Sequence, residues 1–159
     1  MIRFLPILTL ALVAGCSGEI GDHYRDIADY GKAKSRLPAI AVKHFPSTAP
    51  EGSKMYGYFV PMQGGDGLQL SVKYEETEFD TLLTETESQN YESTVGVDMN
   101  DPETLLNGEI SPRISLGIGE PEIPTPKDRI FTIKNGPPVD CGMIFRTDKQ
   151  IVVYWAFND

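Results

Sequence analysis

The sequence predicts an α+β domain with a mainly antiparallel sheet. About four to six strands built from hairpins are expected, with N-terminal and middle helices packed on one face. Three observations lead there. Leu68, Leu70, Val72 and Tyr74 alternate with Gln69, Ser71, Lys73 and Glu75, the period-two pattern of a strand with one buried face. Residues 141–146 and 150–157 are two apolar runs separated by Thr147, Asp148 and Lys149, a second hairpin pattern. Helical spacings fall early and strand patterns late, without the regular βαβ alternation of a doubly wound fold.

Element by element, residues 22–36 read as a helix. Asp22 is placed to cap it, Tyr24, Ile27, Ala28 and Gly31 recur at helical spacing, and Lys32, Lys34 and Arg36 gather at the end the helix dipole favours. Pro38 interrupts the pattern. Residues 38–45 suit a second short helix with Pro in its first turn, Ile40 and Phe45 inward, and Pro46 as its stop. Residues 55–61 are an aromatic-rich strand, and 63–67 (Gln-Gly-Gly-Asp-Gly) a reversal. Residues 77–87 read as a helix with Thr77 and Asp80 at capping-box spacing and Phe79, Leu82 and Leu83 as its apolar stripe. Short strands are expected at 91–97 and 114–118, a capped helical turn at 101–108, and an extended Pro-containing loop at 120–126. Residues 129–134 alternate as a strand. Residues 151–157 are nearly continuous Ile, Val, Tyr, Trp and Phe, the composition of a central strand.

The amino end has a different character. Arg3 precedes about ten mostly apolar residues, the length of a signal-peptide hydrophobic region and about half of what a membrane-spanning helix needs. Leu12, Val13, Ala14, Gly15 and Cys16 follow, and this stretch resembles the lipobox of bacterial lipoproteins. The resemblance implies diacylglycerol transfer to the Cys16 sulfur, cleavage after Gly15, and acylation of the new amino group, with palmitate among the chains. Two or three chains hold a protein durably where one does so only marginally. Ser17, in place of the Asp that favours inner-membrane retention, points to the periplasmic face of the outer membrane. The expected organisation is a signal peptide at 1–15, a lipidated linker at 16–21 and one globular domain at 22–159.

The chain carries 23 acidic and 14 basic residues, a net charge of −9. Loss of residues 1–15 removes Arg3 and leaves 144 residues at −10. That balance argues against binding phosphate backbones or lying flat on an anionic bilayer. With Cys16 acylated, Cys141 has no partner within the chain. Its expected state is a buried, inert thiol.

Motifs of chemistry are sparse. Cys141 and His44 could in principle form a thiolate–imidazole pair, but no protease signature surrounds Cys141 and neighbouring Asp140 would disfavour a thiolate. His44 is placed to cap a helix C-terminus. Residues 98–109 superficially follow a calcium-loop spacing, but Pro102 replaces a ligand and Glu103 the required glycine. No zinc-site spacing occurs. Glu75, Glu76, Glu78, Asp80, Glu85 and Glu87 read as a solvated helix face. Gly64, Gly65 and Gly67 lack the Lys-Ser/Thr of a phosphate loop. The remaining signal is aromatic: Tyr56, Tyr58, Tyr154 and Trp155 are candidate binding residues if one sheet face is left open. The expected function is therefore non-enzymatic binding at the cell envelope, as an adaptor, inhibitor or immunity-type partner. A protein partner and the membrane anchor are expected, with no nucleic acid, cofactor or metal. The alternative is a small periplasmic hydrolase or thiol enzyme using Cys141 and His44.

Overall fold

A computed structural model of the chain describes residues 21–59, 65–95, 126–134 and 139–158. The lipobox, the calcium-like loop and the expected strand at 114–118 lie outside the described residues. Seven strands form one sheet: β1 (Asp22–Tyr24), β2 (Lys54–Phe59), β3 (Asp66–Lys73), β4 (Glu92–Val95), β5 (Arg129–Lys134), β6 (Val139–Arg146) and β7 (Ile151–Asn158). Their spatial order is β1-β2-β3-β7-β6-β5-β4, and each neighbouring pair is antiparallel. The chain enters at one edge and meanders to β3. It then crosses beneath the sheet through helix α2 (Glu76–Glu87) to the far edge and meanders back until β7 closes on β3. The α+β class with an antiparallel sheet is as expected, while the strand count exceeds the four to six read from the sequence.

The extra strand at the near edge corrects the amino-terminal helix. Residues 22–24 are extended and pair with β2, Asp22 opposite Phe59 and Tyr24 opposite Gly57. Tyr24 thereby points into the core against Phe59, ring centroids 5.4 Å apart. A three-residue strand has no legible period of its own; pairing with a neighbour decides its conformation. Helical structure starts later. Asp26 caps a 3₁₀ turn (Ile27–Asp29) by accepting from the Ala28 N–H at 2.9 Å, and α1 (Tyr30–Lys34) continues it.

Residues 38–45 also differ from expectation. They form consecutive i→i+3 turns, with Ala41 N–H on the Pro38 carbonyl at 2.9 Å and Phe45 N–H on the Val42 carbonyl at 3.1 Å, and no α-helix. Phe45 is buried as expected, but Ile40 is 50 % exposed. In α2 the cap position is Glu75, without a side-chain cap bond. Thr77 lies inside the helix, where its carbonyl accepts the Thr81 hydroxyl, so the capping box does not form.

Strand alternation sorts the sheet into two apolar faces. On the first, Leu68, Leu70, Val72, Met143, Phe145, Val152 and Ala156 meet Tyr30, Ala33, Val42, Phe45 and Phe79 from the helical segments. Phe79 packs on Phe145 at 5.5 Å between ring centroids. Burying a side chain of that size stabilises by about 2–3 kcal/mol. On the second face, Ile130, Ile144, Val153 and Trp155 form a smaller buried cluster flanked by Ile151 and Phe157. The middle of β7 is thus buried on both sides, which is why its sequence is continuously apolar rather than alternating. At the margin of the second face, Arg146 Nε lies 3.6 Å from Asp128 Oδ2, both side chains closed to solvent.

Candidate functional site

A cleft of about 430 Å³ lies where α2 passes over the end of the β3–β7 pair. Its floor is local strand chemistry carried one residue further. The Tyr74 N–H donates to the Gln150 carbonyl at 2.9 Å, extending the ladder past β3 and setting Tyr74 beside Tyr154 of β7. The two hydroxyls hydrogen-bond at 2.7 Å. Burial raises the pKa of both phenols, so both stay neutral around neutral pH. One of the two protons is used between the oxygens.

One wall is α2. Glu78, Thr81, Leu82 and Glu85 fall at i, i+3, i+4 and i+7, a single stripe along the helix, and that stripe lines the cleft. The Thr81 hydroxyl donates back to the Thr77 carbonyl at 2.8 Å, leaving only lone pairs to present. Leu82 supplies the apolar part.

The opposite wall is His44, Phe45 and Pro46. Two side chains of α1 hold it in place. The Tyr30 hydroxyl and the Lys34 ammonium each donate to the Pro46 carbonyl at 2.7 Å. Burial raises the Tyr30 pKa and lowers that of Lys34. With this segment pinned, Phe45 packs on Tyr154, centroids 5.7 Å apart.

His44 lies against the sheet backbone. Its Nε2 is 3.0 Å from the Gly142 carbonyl and 3.3 Å from the Trp155 carbonyl. Carbonyl oxygens only accept, so Nε2 carries the proton and shares it between them. In the neutral ring Nδ1 is then a bare lone pair, and it is buried without a hydrogen-bond partner. Burial pushes the pKa down to about 4, with Lys43 and Lys34 adding repulsion. The cap to a helix C-terminus expected of His44 is replaced by a contact with strands about a hundred residues away.

The lining therefore has a consistent character. It contains no Lys or Arg. Two carboxylates, the Thr81 oxygen and the tyrosine oxygens offer acceptors beside aromatic side chains, and the Tyr74–Tyr154 pair offers a single hydroxyl proton.

The four aromatic candidates do not form one patch. Tyr154 is buried on the helix-covered face, where it floors the cleft. Trp155 is buried on the other face, its ring stacked near Phe157 at 6.0 Å. Tyr56 and Tyr58 are half-buried on that second face, in the rows of Gln69 and Gly67. His23 leans on Tyr58 at 4.7 Å and the Arg25 guanidinium covers Tyr56 at 5.6 Å, so this patch already has its own cation. Cys141 is fully buried on the first face, its sulfur 3.7 Å from the Ile133 carbonyl. The acidic residues of α2 are exposed, and Glu87 pairs with Arg129 at 2.9 Å.

Tyr74, Glu78 and Glu85 are the site residues that sequence reasoning missed. The i, i+3, i+4, i+7 stripe was readable, but the space between α2 and residues 44–46 is a product of tertiary packing. Compared with protein-family models, curated proteins and solved structures, the chain matches none. Among the described residues, no helix is long and apolar enough to cross a membrane, and no group of three or more His, Cys, Asp or Glu is placed to hold a metal ion.

Proposed function

We propose that this chain is a lipid-anchored envelope protein that works by binding rather than catalysis, as an adaptor, inhibitor or immunity-type partner. Acyl chains on Cys16 hold it at the periplasmic face of the outer membrane. The observation that carries the binding role is the cleft between α2 and residues 44–46. It joins aromatic floor, apolar patch and convergent acceptors, the composition of a recognition site. The groups that hydrolysis by a thiol would need are used elsewhere. The Cys141 sulfur is shut in the core, and the one proton of neutral His44 is shared between two backbone carbonyls. Support for the anchor is the lipobox itself.

The test uses the full chain expressed with its leader. Mass spectrometry of the membrane fraction should find Cys16 acylated and residues 1–15 removed; an unacylated Cys16 or a retained leader contradicts the anchor. Capture from detergent-solubilised envelopes after chemical cross-linking should recover a specific protein partner. Recovery of none contradicts the binding role.

A further inference from the structure

We propose that the cleft between α2 and residues 44–46 receives the cationic side chain of a partner protein, an arginine or a lysine. This rests on the binding role proposed above and names what the site takes.

Two features converge on a cation. The first is the donor–acceptor balance: Glu78, Glu85 and Thr81 offer lone pairs, against one hydroxyl proton from the tyrosine pair. An anionic or acceptor-rich ligand would meet carboxylates and find almost no donors, whereas a guanidinium brings five N–H groups and an ammonium three. The second is the floor. Tyr74, half-buried above the closed rings of Tyr154 and Phe45, presents aromatic surface, and the electron-rich face of such a ring attracts a cation. Charges facing the cleft from behind are the Lys34 ammonium, which is tied to the Pro46 carbonyl, and Lys43. Neither lines the cleft.

A protein side chain suits the surroundings better than a small free amine. Glu75, three residues before Glu78, extends the row of exposed carboxylates past the cleft, and the whole chain carries a net charge of −9. A basic segment that places one side chain in the cleft would lay its neighbours along that row. Such a field speeds encounter with a basic partner and weakens with salt.

The full chain in nonionic detergent is titrated with N-acetyl-arginine amide, N-acetyl-lysine amide and the uncharged isostere N-acetyl-citrulline amide, followed by NMR shifts of the tyrosine and histidine rings. The arginine or lysine amide should shift Tyr74, Tyr154 and His44, and citrulline should bind about tenfold more weakly or not at all. Glu78→Gln combined with Glu85→Gln changes two exposed positions without touching the core. It should weaken the cationic ligand about tenfold, and added salt should weaken it in the wild type. Equal binding of citrulline, an unaffected double variant, or shifts centred on Tyr56 and Tyr58 would overturn the proposal. So would tight binding of spermidine with none of the amino-acid amides, which would make the ligand a small amine.

The double variant also separates this inference from the reading beneath it. A captured partner that survives Glu78→Gln/Glu85→Gln refutes the cleft and leaves the binding role standing. Clear arginine or lysine binding with no partner recovered refutes the binding role and leaves the cleft's preference standing.

Discussion

His44 offers a prediction whose size follows from where the ring sits. In the unfolded chain its pKa is 6.5, and in the folded protein burial holds it at about 4. As pH falls through this window the unfolded chain takes up a proton that the folded chain refuses. The depressed value therefore removes stability progressively below pH 6.5, is complete by about pH 4, and contributes nothing above the window. A shift from 6.5 to about 4 corresponds to about 3 kcal/mol in full, and the part expressed between about pH 7 and pH 5 is about 2 kcal/mol. His44→Gln is the informative variant. The glutamine amide nitrogen reaches about as far as Nε2 and retains a donor for the Gly142 and Trp155 carbonyls, yet it does not titrate. Urea unfolding of both proteins at several pH values between about 7 and 5 gives the difference directly, since titrations common to both cancel. The wild type should lose about 2 kcal/mol more than the variant over this interval. Parallel pH profiles, or an imidazole that titrates near 6.5 by NMR, would refute the buried, neutral assignment.

Other substitutions probe the packing. Asp128→Ala leaves Arg146 buried without its carboxylate and should cost about 3–5 kcal/mol in urea unfolding, while Asp128→Leu with Arg146→Leu should recover much of that. A Cβ at Gly142 would fall 2.2 Å from the Phe131 carbonyl oxygen and 2.7 Å from the Trp155 ring. Gly142→Ala should therefore destabilise by about 2 kcal/mol or more. Gly31→Ala, at an exposed position of α1, meets nothing within 4 Å and should stabilise by about 0.5–1 kcal/mol. Cys141 should be inert to a thiol reagent in the folded protein and react at once in denaturant; prompt reaction under native conditions would place the sulfur outside the core.

What could be read from the chain divides along the range of the interactions. The hairpin of β2 with β3 and that of β6 with β7 were legible because period-two alternation and turn residues are local signals. β7 was legible as a central strand because burial on both faces makes it apolar throughout. Residues 22–24 were misread because an edge strand of three residues takes its shape from β2. Residues 38–45 were misread because prolines and short apolar spacings suit a train of turns as well as a helix. In the site, the acidic stripe of α2 was visible, and so were Tyr154 and His44 as residues of interest. Their assembly was not, since the contact of His44 with Gly142 and Trp155 spans 98 and 111 positions and leaves no periodic trace. Trp155 illustrates the converse: an aromatic residue suited to a binding hot spot is also well suited to a core, and burial decides between the two.

Site-specific photo-cross-linking from Thr81, the exposed hydroxyl residue midway between Glu78 and Glu85, tests the binding role most directly. A benzophenone side chain at that position, activated in intact cells, should give one discrete adduct in the membrane fraction, with the attached peptide rich in lysine or arginine. The same group at exposed Lys149 should not give it. An absent adduct, or the same adduct from both positions, would contradict recognition through this cleft.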